Sequence, residues 1–472
     1  MDCRTKIVAT LGPASNTVAI IEQLIRAGMD IARLNFSHGT TEDHRRMISI
    51  VHAASEKAGK DIGILLDLQG PKIRIGRLEK DAVILEEGAQ FIITTRDIAG
   101  NEQEVSTNYT PLPKEISVGS HILLDDGLLE LEVLKTTETD IICNIIRGGR
   151  LTEKKGINVP GAQLSVPSLS EKDKDDLLTG IREGVDYVAI SFIRTADDVT
   201  SVKNIVKREG ASIPVIAKIE KPEAVDNLDE ILKVADAIMV ARGDLGVELP
   251  PEEVPIIQKE IIKRCNKEGV PVITATQMLE SMIHQPRPTR AEASDVANAV
   301  VDGTDAIMLS GETAVGKYPV EAVSMMNRIA AVTEMRLLKT LKTAPEEIKV
   351  WGDSEHAIAH AVYFTAMDIK ATAIVAFTRS GGTARIISKY RPGIPIIGVT
   401  HTSPILKRFS LYWGVRGVLV ELKENTDEMI YGVEQKLLET GLAKHGDTVI
   451  ITLGVPWGVA GSTNMLMIHQ IR

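Results

Sequence analysis

The stretches P-V-I-A-K-I-E at 214–220 and D-A-I-M-V-A-R-G-D-L-G at 236–246 decide how the rest of the chain is read. Val215, Ile216, Ala217 and Ile219 form a short apolar run of the kind found in a strand covered on both faces. Ile238, Met239, Val240 and Ala241 form a second. Each run ends in charge: Lys218 and Glu220 in the first, Arg242 and Asp244 in the second. A solvent-facing strand spreads its charges along one face, whereas these gather at the C-terminal tip. In parallel α/β proteins that tip faces the active site. Two carboxylates on neighbouring tips suit a hard divalent cation, Mg²⁺ or Mn²⁺, and the lysine between them could neutralise a phosphoryl group. A structural salt bridge among Lys218, Glu220 and Asp244 is the competing reading.

Working outward, apolar strands are expected at 6–11, 31–36 and 62–68, separated by helical periodicity at 17–27 and 42–59. From about 70 to 167 the pattern changes to short alternating segments divided by turn residues, which predicts an all-β insert, a small barrel. Helix and strand then resume: 170–184 carries a capping box of Ser170 and Asp173, and strands at 187–192, 270–276 and 306–309 bring the total to eight. The fold class is therefore α/β. It is a (β/α)8 TIM barrel (1–69 and 168–340) with the small β-barrel domain at 70–167 inserted after the third strand. A charged linker near 340–354 leads to a C-terminal α/β domain, 354–472, with strands at about 373–377, 395–399, 415–420, 448–453 and 465–469.

Composition narrows the function. The 472 residues are 44% hydrophobic and 25% charged, a soluble balance, and the length calls for more than one domain. A net charge of −10 argues against nucleic acid as a partner. No run is long enough to span a membrane. Cys3, Cys143 and Cys265 fit no metal-ligand spacing and read as free thiols of a reducing, cytoplasmic compartment.

If the strand count holds, residues at the C-terminal tips converge: Arg33, Asn35, Ser37 and His38; Asp67, with Arg74 beyond it; Lys218, Glu220, Arg242 and Asp244; Thr276, Gln277, Ser310 and Glu312. Cations, two candidate metal carboxylates and several hydroxyls suit an anionic phosphorylated substrate bound with Mg²⁺. Gly243 allows close backbone approach, so its N–H and that of Asp244 could hold a carboxylate.

At this point the blocks R-L-N-F-S-H-G, I-A-K-I-E, M-V-A-R-G-D-L-G, T-A-T-Q-M-L-E-S-M, P-R-P-T-R-A-E and M-L-S-G-E-T-A resemble, in order and over essentially the whole chain, the signature blocks of the pyruvate kinase family. The resemblance implies transfer of the phosphoryl group of phosphoenolpyruvate to ADP, giving pyruvate and ATP, and a homotetramer. It implies catalytic and substrate-binding roles for Lys218, Arg33, Thr276, Gly243 and Asp244, with Mg²⁺ on Glu220 and Asp244. Asn35, His38, Arg74 and Lys155, with Arg33, fall on the nucleotide side. Thr276, or a water chain through Ser310 and Glu312, would protonate the enolate; the two remain open. Many members need K⁺, held by residues matching Asn35, Ser37, Asp67 and the Leu68 carbonyl, with an acidic residue where this chain has Lys72. An ammonium there could stand in for K⁺, so K⁺ is expected not to be required.

G-E-T-A-V-G-K at 311–317 nearly spells a phosphate-binding P-loop, but Tyr318 stands where a hydroxyl must reach Mg²⁺, and the motif is rejected. In the C-terminal domain, Thr378, Arg379, Ser380, Gly381, Gly382 and Thr383 join a strand to a helix and form a candidate anion site. The resemblance makes it the site of a phosphorylated allosteric effector, a sugar phosphate or AMP, faced by the loop at 454–462. Two other functions compete. A Mg²⁺-dependent lyase or aldolase would need no nucleotide pocket, against which Lys154 and Lys155 of the insert argue. A non-catalytic metabolite sensor would not need the Lys218, Glu220 and Asp244 set.

Overall fold

The computed structural model describes residues 3–162, 164–340, 354–423, 425–454 and 463–472, with the side chains of 338–340 excepted. The expected linker and the loop at 455–462 lie outside the described residues. Strands Lys6–Thr10, Ile31–Asn35, Gly63–Asp67, Tyr187–Ile190, Val215–Ile219, Ala237–Ala241, Val272–Ala275 and Ala306–Leu309 are all parallel, and the first closes on the eighth. The intervening helices stop where the sequence says they should. Thr17 caps Val18–Ala27 and Gly28 ends it at φ 127°. Ser170 and Asp173 form the capping box of Glu171–Glu183, and Gly184 ends that helix in the left-handed region.

Strand alternation sets what fills the barrel. Val8, Ile31, Leu65, Ala189 and Ile216 belong to one apolar cluster inside it, while Ile7, Ala9, Ala32, Leu66 and Ala217 belong to another beneath the helices. Two residues on from the inner set come Thr10, Arg33, Asp67, Ser191 and Lys218. The interior is thus apolar at its floor and ionic at its C-terminal mouth.

The insert is a six-stranded sheet, in the order Ile157–Asn158, His121–Leu124, Leu129–Thr136, Asp140–Arg147, Gln90–Thr94 and Glu104–Ser106, with a separate ribbon of Ala82–Leu85 and Gly149–Thr152. Its two edges are joined only by isolated bridges, Arg74 to Gly156 and Ile75 to Thr107. The expected small barrel therefore closes through two residues, not a continuous ladder. The C-terminal sheet runs Val415–Leu419, Ile396–Thr400, Ala373–Phe377, Thr448–Gly454 and Thr463–Gln470, the last antiparallel.

That C-terminal sheet and its helices seal the barrel floor. Phe409, Leu411 and Tyr412 share a cluster with Val8, Ile216 and Ile273, and the Tyr187 hydroxyl donates to the Arg408 carbonyl at 2.7 Å. Asp305, 1% exposed, accepts from Lys389 Nζ at 2.6 Å and from Arg391 Nη2 at 2.9 Å. Removing one partner of such a buried set leaves an uncompensated charge, so the junction is fixed. All three cysteines are free. Among the described residues no helix is long and apolar enough to cross a membrane.

One carboxylate at this floor has a measurable signature. Asp186 accepts the Ile64 amide at 2.8 Å and faces Lys407 Nζ at 3.5 Å. Burial nevertheless pushes its carboxyl up from 3.8 to about 6, with Lys407 and the Ile64 amide opposing. A raised carboxyl pKa stabilises the fold fully below the unfolded value and loses that contribution as pH rises through the folded one. Asp186→Asn should therefore lack a loss of about 2 kcal/mol that the parent suffers between pH 4 and pH 7. Urea unfolding at the two pH values checks this, and equal pH slopes in the two proteins would refute it.

Candidate active site

The mouth residues form a chain of alternating charge. Arg33 Nε donates to Asp67 Oδ2 at 2.7 Å, and its Nη1 donates to Thr10 Oγ1 at 2.8 Å. On the other side of Asp67, Lys218 Nζ lies 3.3 Å from Oδ1 and 2.8 Å from Glu220 Oε1, and donates to Ser191 Oγ at 2.7 Å. Ser191 Oγ donates in turn to the Leu68 carbonyl at 2.9 Å. Register imposes these neighbours: Thr10 lies beside Arg33, Asn35 beside Asp67 and Asp67 beside Ala189.

Electrostatics follow from the geometry. Burial opposes ionisation of Asp67, but Lys218 and Arg33 outweigh it and hold the carboxyl below its usual range. Burial likewise works against the Lys218 ammonium, and Asp67 with Glu220 more than compensates, so its pKa rises. Glu220 is pushed up to about 7 by burial, with Lys218 opposing and the nearby Asp244 adding to the rise. The second Glu220 oxygen accepts the Phe192 amide at 2.7 Å.

A carboxyl whose ionisation is opposed by a second carboxylate nearby, as that of Glu220 is by Asp244, fits a cation between the two. Among the described residues no three acidic, histidine or cysteine side chains make a metal cage. Two hard oxygens suit Mg²⁺, which keeps waters and takes substrate oxygens for the rest of its shell. Glu220 and Asp244 therefore fit the group.

The remaining expected residues divide. Thr276 is at the mouth: its Oγ1 accepts the Gly243 amide at 2.7 Å and donates to the Ala275 carbonyl at 2.6 Å. Thr276 and Gln277 have φ of 67° and 54°, and Phe192 has φ of 55°, a strained backbone for side chains of these types. Asp244 is half-buried on the short helix Arg242–Glu248. Ser310 is half-buried, and its amide is held by Glu312 Oε2 at 2.7 Å. Asn35 Oδ1 accepts the Ser37 amide at 3.2 Å, and His38 is exposed.

Two expectations are corrected. Arg242 does not face substrate. Its guanidinium binds the Ala275 and Thr276 carbonyls and Asp295 Oδ2, the last at 2.7 Å, and so pins the loop after the seventh strand. Glu312 is fully buried, with Oε1 accepting the Leu279 amide at 3.0 Å, so it positions two loops and cannot join an open water chain. Lys72 pairs with Asp126 at 3.8 Å. Among the described residues, Arg74 and Lys155 bond to other residues of the insert, including Lys155 to Asp125 at 2.8 Å.

Several working residues were not on the expected roster. Thr10 and Ser191 carry the period-two signal of their strands and were legible in it. Asp173, fully buried, accepts the Gly70 amide at 3.0 Å at the entrance to the insert. His44 stacks on Phe36 with centroids 3.7 Å apart, and its Nε2 meets the His38 carbonyl at 2.9 Å. A carbonyl only accepts, so Nε2 carries the proton. No sequence spacing announces that pairing.

Comparison with known proteins decides the family. The model described as pyruvate kinase, barrel domain, matches residues 2–323, and the one described as pyruvate kinase, alpha/beta domain, matches 356–469. The chain belongs to the pyruvate kinase family. Pyruvate kinase from Geobacillus stearothermophilus is 48% identical over 478 residues, covering 100% of this chain and 81% of its own length. The Bacillus licheniformis pyruvate kinase is 48% identical over 471 residues, covering 99% and 80%. A crystal structure of a pyruvate kinase from Cryptosporidium parvum matches with a TM-score of 0.92 at 37% identity, covering 100% of this chain and 96% of its own.

In this kinase the P-loop look-alike has a different cause. A Cβ on Gly316 would lie 2.3 Å from the Glu312 carbonyl, so glycine answers a close backbone approach. In the C-terminal domain the segment 378–381 joins the strand Ala373–Phe377 to the helix Gly382–Lys389, as expected. Thr378 Oγ1 accepts the Gly381 amide at 2.9 Å, Gly381 sits at φ 92°, and Thr383 Oγ1 meets Thr463 Oγ1 at 2.7 Å. Arg379 and Ser380 are exposed ahead of the helix Gly382–Lys389.

Ser191 offers a test of the charge chain. A hydrogen bond to a charged group contributes about 1.5–3 kcal/mol, so Ser191→Ala should lower kcat about tenfold, with the melting temperature moved by only a few degrees. An unchanged kcat would place Ser191 outside the reaction.

Proposed function

We propose that the Arg33–Asp67–Lys218–Glu220 chain is the phosphoryl-transfer centre of this enzyme. A phosphotransferase of the pyruvate kinase family moves the phosphoryl group of phosphoenolpyruvate to ADP, giving pyruvate and ATP. The observation that carries the assignment is the position of Lys218 Nζ, held by Ser191, Asp67 and Glu220 and still 11% exposed at the barrel mouth.

Phosphoryl transfer needs positioning and charge neutralisation more than covalent chemistry. Arg33 keeps Nη2 without a protein partner among the described residues and grips the substrate phosphate. Lys218 offsets charge on the phosphoryl group in flight. Its raised pKa keeps it an ammonium at neutral pH, so it acts as a fixed cation and not as a base. Thr276 and the Gly243 and Asp244 amides hold the substrate carboxylate, Thr276 releasing the Gly243 amide that it now binds. Glu220 and Asp244 hold Mg²⁺ or Mn²⁺, which when bound supplies positive charge to substrate oxygens. Thr276, whose hydroxyl lies at the mouth beside Gly243, is the proton donor to the enolate, because Glu312 is sealed. Asn35, His38, Arg74 and Lys155 take the nucleotide when the insert, 70–167, moves against the barrel unit, 1–69 and 168–340.

K⁺ independence follows from charge. Asp67 is already flanked by Arg33 and Lys218, and Lys72 adds a positive charge at the insert's root, so a further monovalent cation would be repelled. The loop from Thr378 to Thr383 takes a phosphorylated effector on the exposed Arg379 and Ser380, and the chain works as a cytoplasmic homotetramer. Sedimentation and titration with fructose bisphosphate, glucose 6-phosphate, ribose 5-phosphate and AMP address these two points.

A lactate-dehydrogenase-coupled assay with phosphoenolpyruvate, with and without ADP, separates the kinase from a lyase and from a sensor: pyruvate must appear only with ADP. Lys218→Met should lower kcat by roughly three orders of magnitude while leaving Mn²⁺ binding nearly intact. Replacing KCl by tetramethylammonium chloride should leave the rate within about twofold, and a strong loss of rate refutes K⁺ independence.

A further inference from the structure

Glu248 has no part in the chemistry above, yet it is buried at 6% exposure where three working parts of the molecule meet. It is the last residue of the short helix Arg242–Glu248, which carries Gly243 and Asp244. Its Oε1 accepts from Lys221 Nζ at 2.5 Å, and Lys221 follows Glu220 directly in the chain. The same oxygen accepts from Asn158 Nδ2 at 2.7 Å, and Asn158 closes the insert's final strand, Ile157–Asn158. A single carboxylate thus ties the exit strand of the insert to both elements that carry the proposed metal carboxylates.

A second contact supports the tie. A Cβ on Gly127, at the tip of the turn between His121–Leu124 and Leu129–Thr136, would lie 3.9 Å from Val247 Cγ1. The neighbouring Asp125 and Asp126 are the partners of Lys155 and Lys72. The tip that carries the partners of Lys72 and Lys155 therefore rests one residue away from Glu248. Elsewhere the root of the insert is held by Arg194, whose guanidinium donates to the Leu164 and Val166 carbonyls, and by Asp173 on the Gly70 amide, while Arg74 pairs with Gly156 within the insert; these contacts fix the hinge but not the angle about it.

We infer that Glu248 is a positioning residue: by bridging Asn158 and Lys221 it sets the angle of the insert over the barrel mouth, and so the affinity for the nucleoside diphosphate rather than for the enol phosphate. The inference rests on the phosphotransferase reading for its kinetic arm only. An insert freed from the bridge must be ordered by the nucleotide on binding, which weakens that step. The enol phosphate is held by barrel residues and does not meet this cost.

The test uses the full chain and the variants Asn158→Ala, which cuts the bridge on the exposed side, Glu248→Gln, and the double variant. Asn158→Ala should raise the KM for ADP about five- to tenfold while the KM for phosphoenolpyruvate stays within about twofold. The double variant should be no worse than Glu248→Gln, because both changes cut one bridge. Amide hydrogen exchange without substrates should quicken at 125–128 and 156–159 in Asn158→Ala. Equal rises in both KM values, additive effects in the double variant, or unaltered exchange would each overturn the inference. Since the exchange measurement involves no turnover, it judges the bridge even if the chain fails to make pyruvate, a result that would count against the phosphotransferase reading alone.

Discussion

Asp67 is the fixed point of the molecule. It stands between the Arg33 guanidinium and the Lys218 ammonium at the head of a closed barrel, where water is scarce and two bare cations would repel each other strongly. Its carboxylate lets both stay charged and near enough to serve one anion. The barrel's register delivers this arrangement, because strand two and strand three place Arg33 and Asp67 on the inward face two residues above Ile31 and Leu65. Slip either strand by one residue and its charge would point into the apolar layer beneath the helices. The ionic mouth and the apolar floor are thus one constraint seen from two ends.

Around that point the molecule separates what must be rigid from what must move. The floor is sealed by Phe409, Tyr412 and the Tyr187 hydroxyl, and Asp305 clamps Lys389 and Arg391 of the C-terminal unit against the start of strand eight. Glu312 and Arg242, which carry charge but meet no substrate, hold the loops that present Thr276 and Ser310. Buried charge of this sort defines position more than it adds stability. The left-handed backbone at Thr276 and Gln277 is held by Arg242 on the Thr276 carbonyl, and that at Phe192 by Glu220 on its amide.

Much of this was legible in the sequence, and the reason is periodicity. Eight buried runs of Ile, Val, Leu and Ala, each ending in polar residues, carry strand, face and tip in one pattern. That pattern placed Lys218 beside Glu220 and brought Arg33 and Asp67 to the same rim. It would also have located Thr10 and Ser191 had the alternation been followed strictly. What stayed hidden is rotameric. Nothing in the spacing shows that Arg242 turns outward to Asp295, that Glu312 turns inward to two amides, or that Lys72 turns to Asp126. Each direction is set by a partner on a different element, far off in sequence. The same holds for His44 on Phe36 and for Glu248 between Asn158 and Lys221.

The pairing of Arg74 with Gly156 puts the two ends of the insert side by side. Chain leaves the barrel and returns to it through almost the same point, so roughly a fifth of the sequence hangs from the catalytic unit like a pendant from one ring. Its surface, loop lengths and even its strand count can drift without the eight-stranded core registering any change. Variation among such proteins should therefore fall unevenly, with the pendant as the part where lineages differ and its two-residue clasp as the part where they agree.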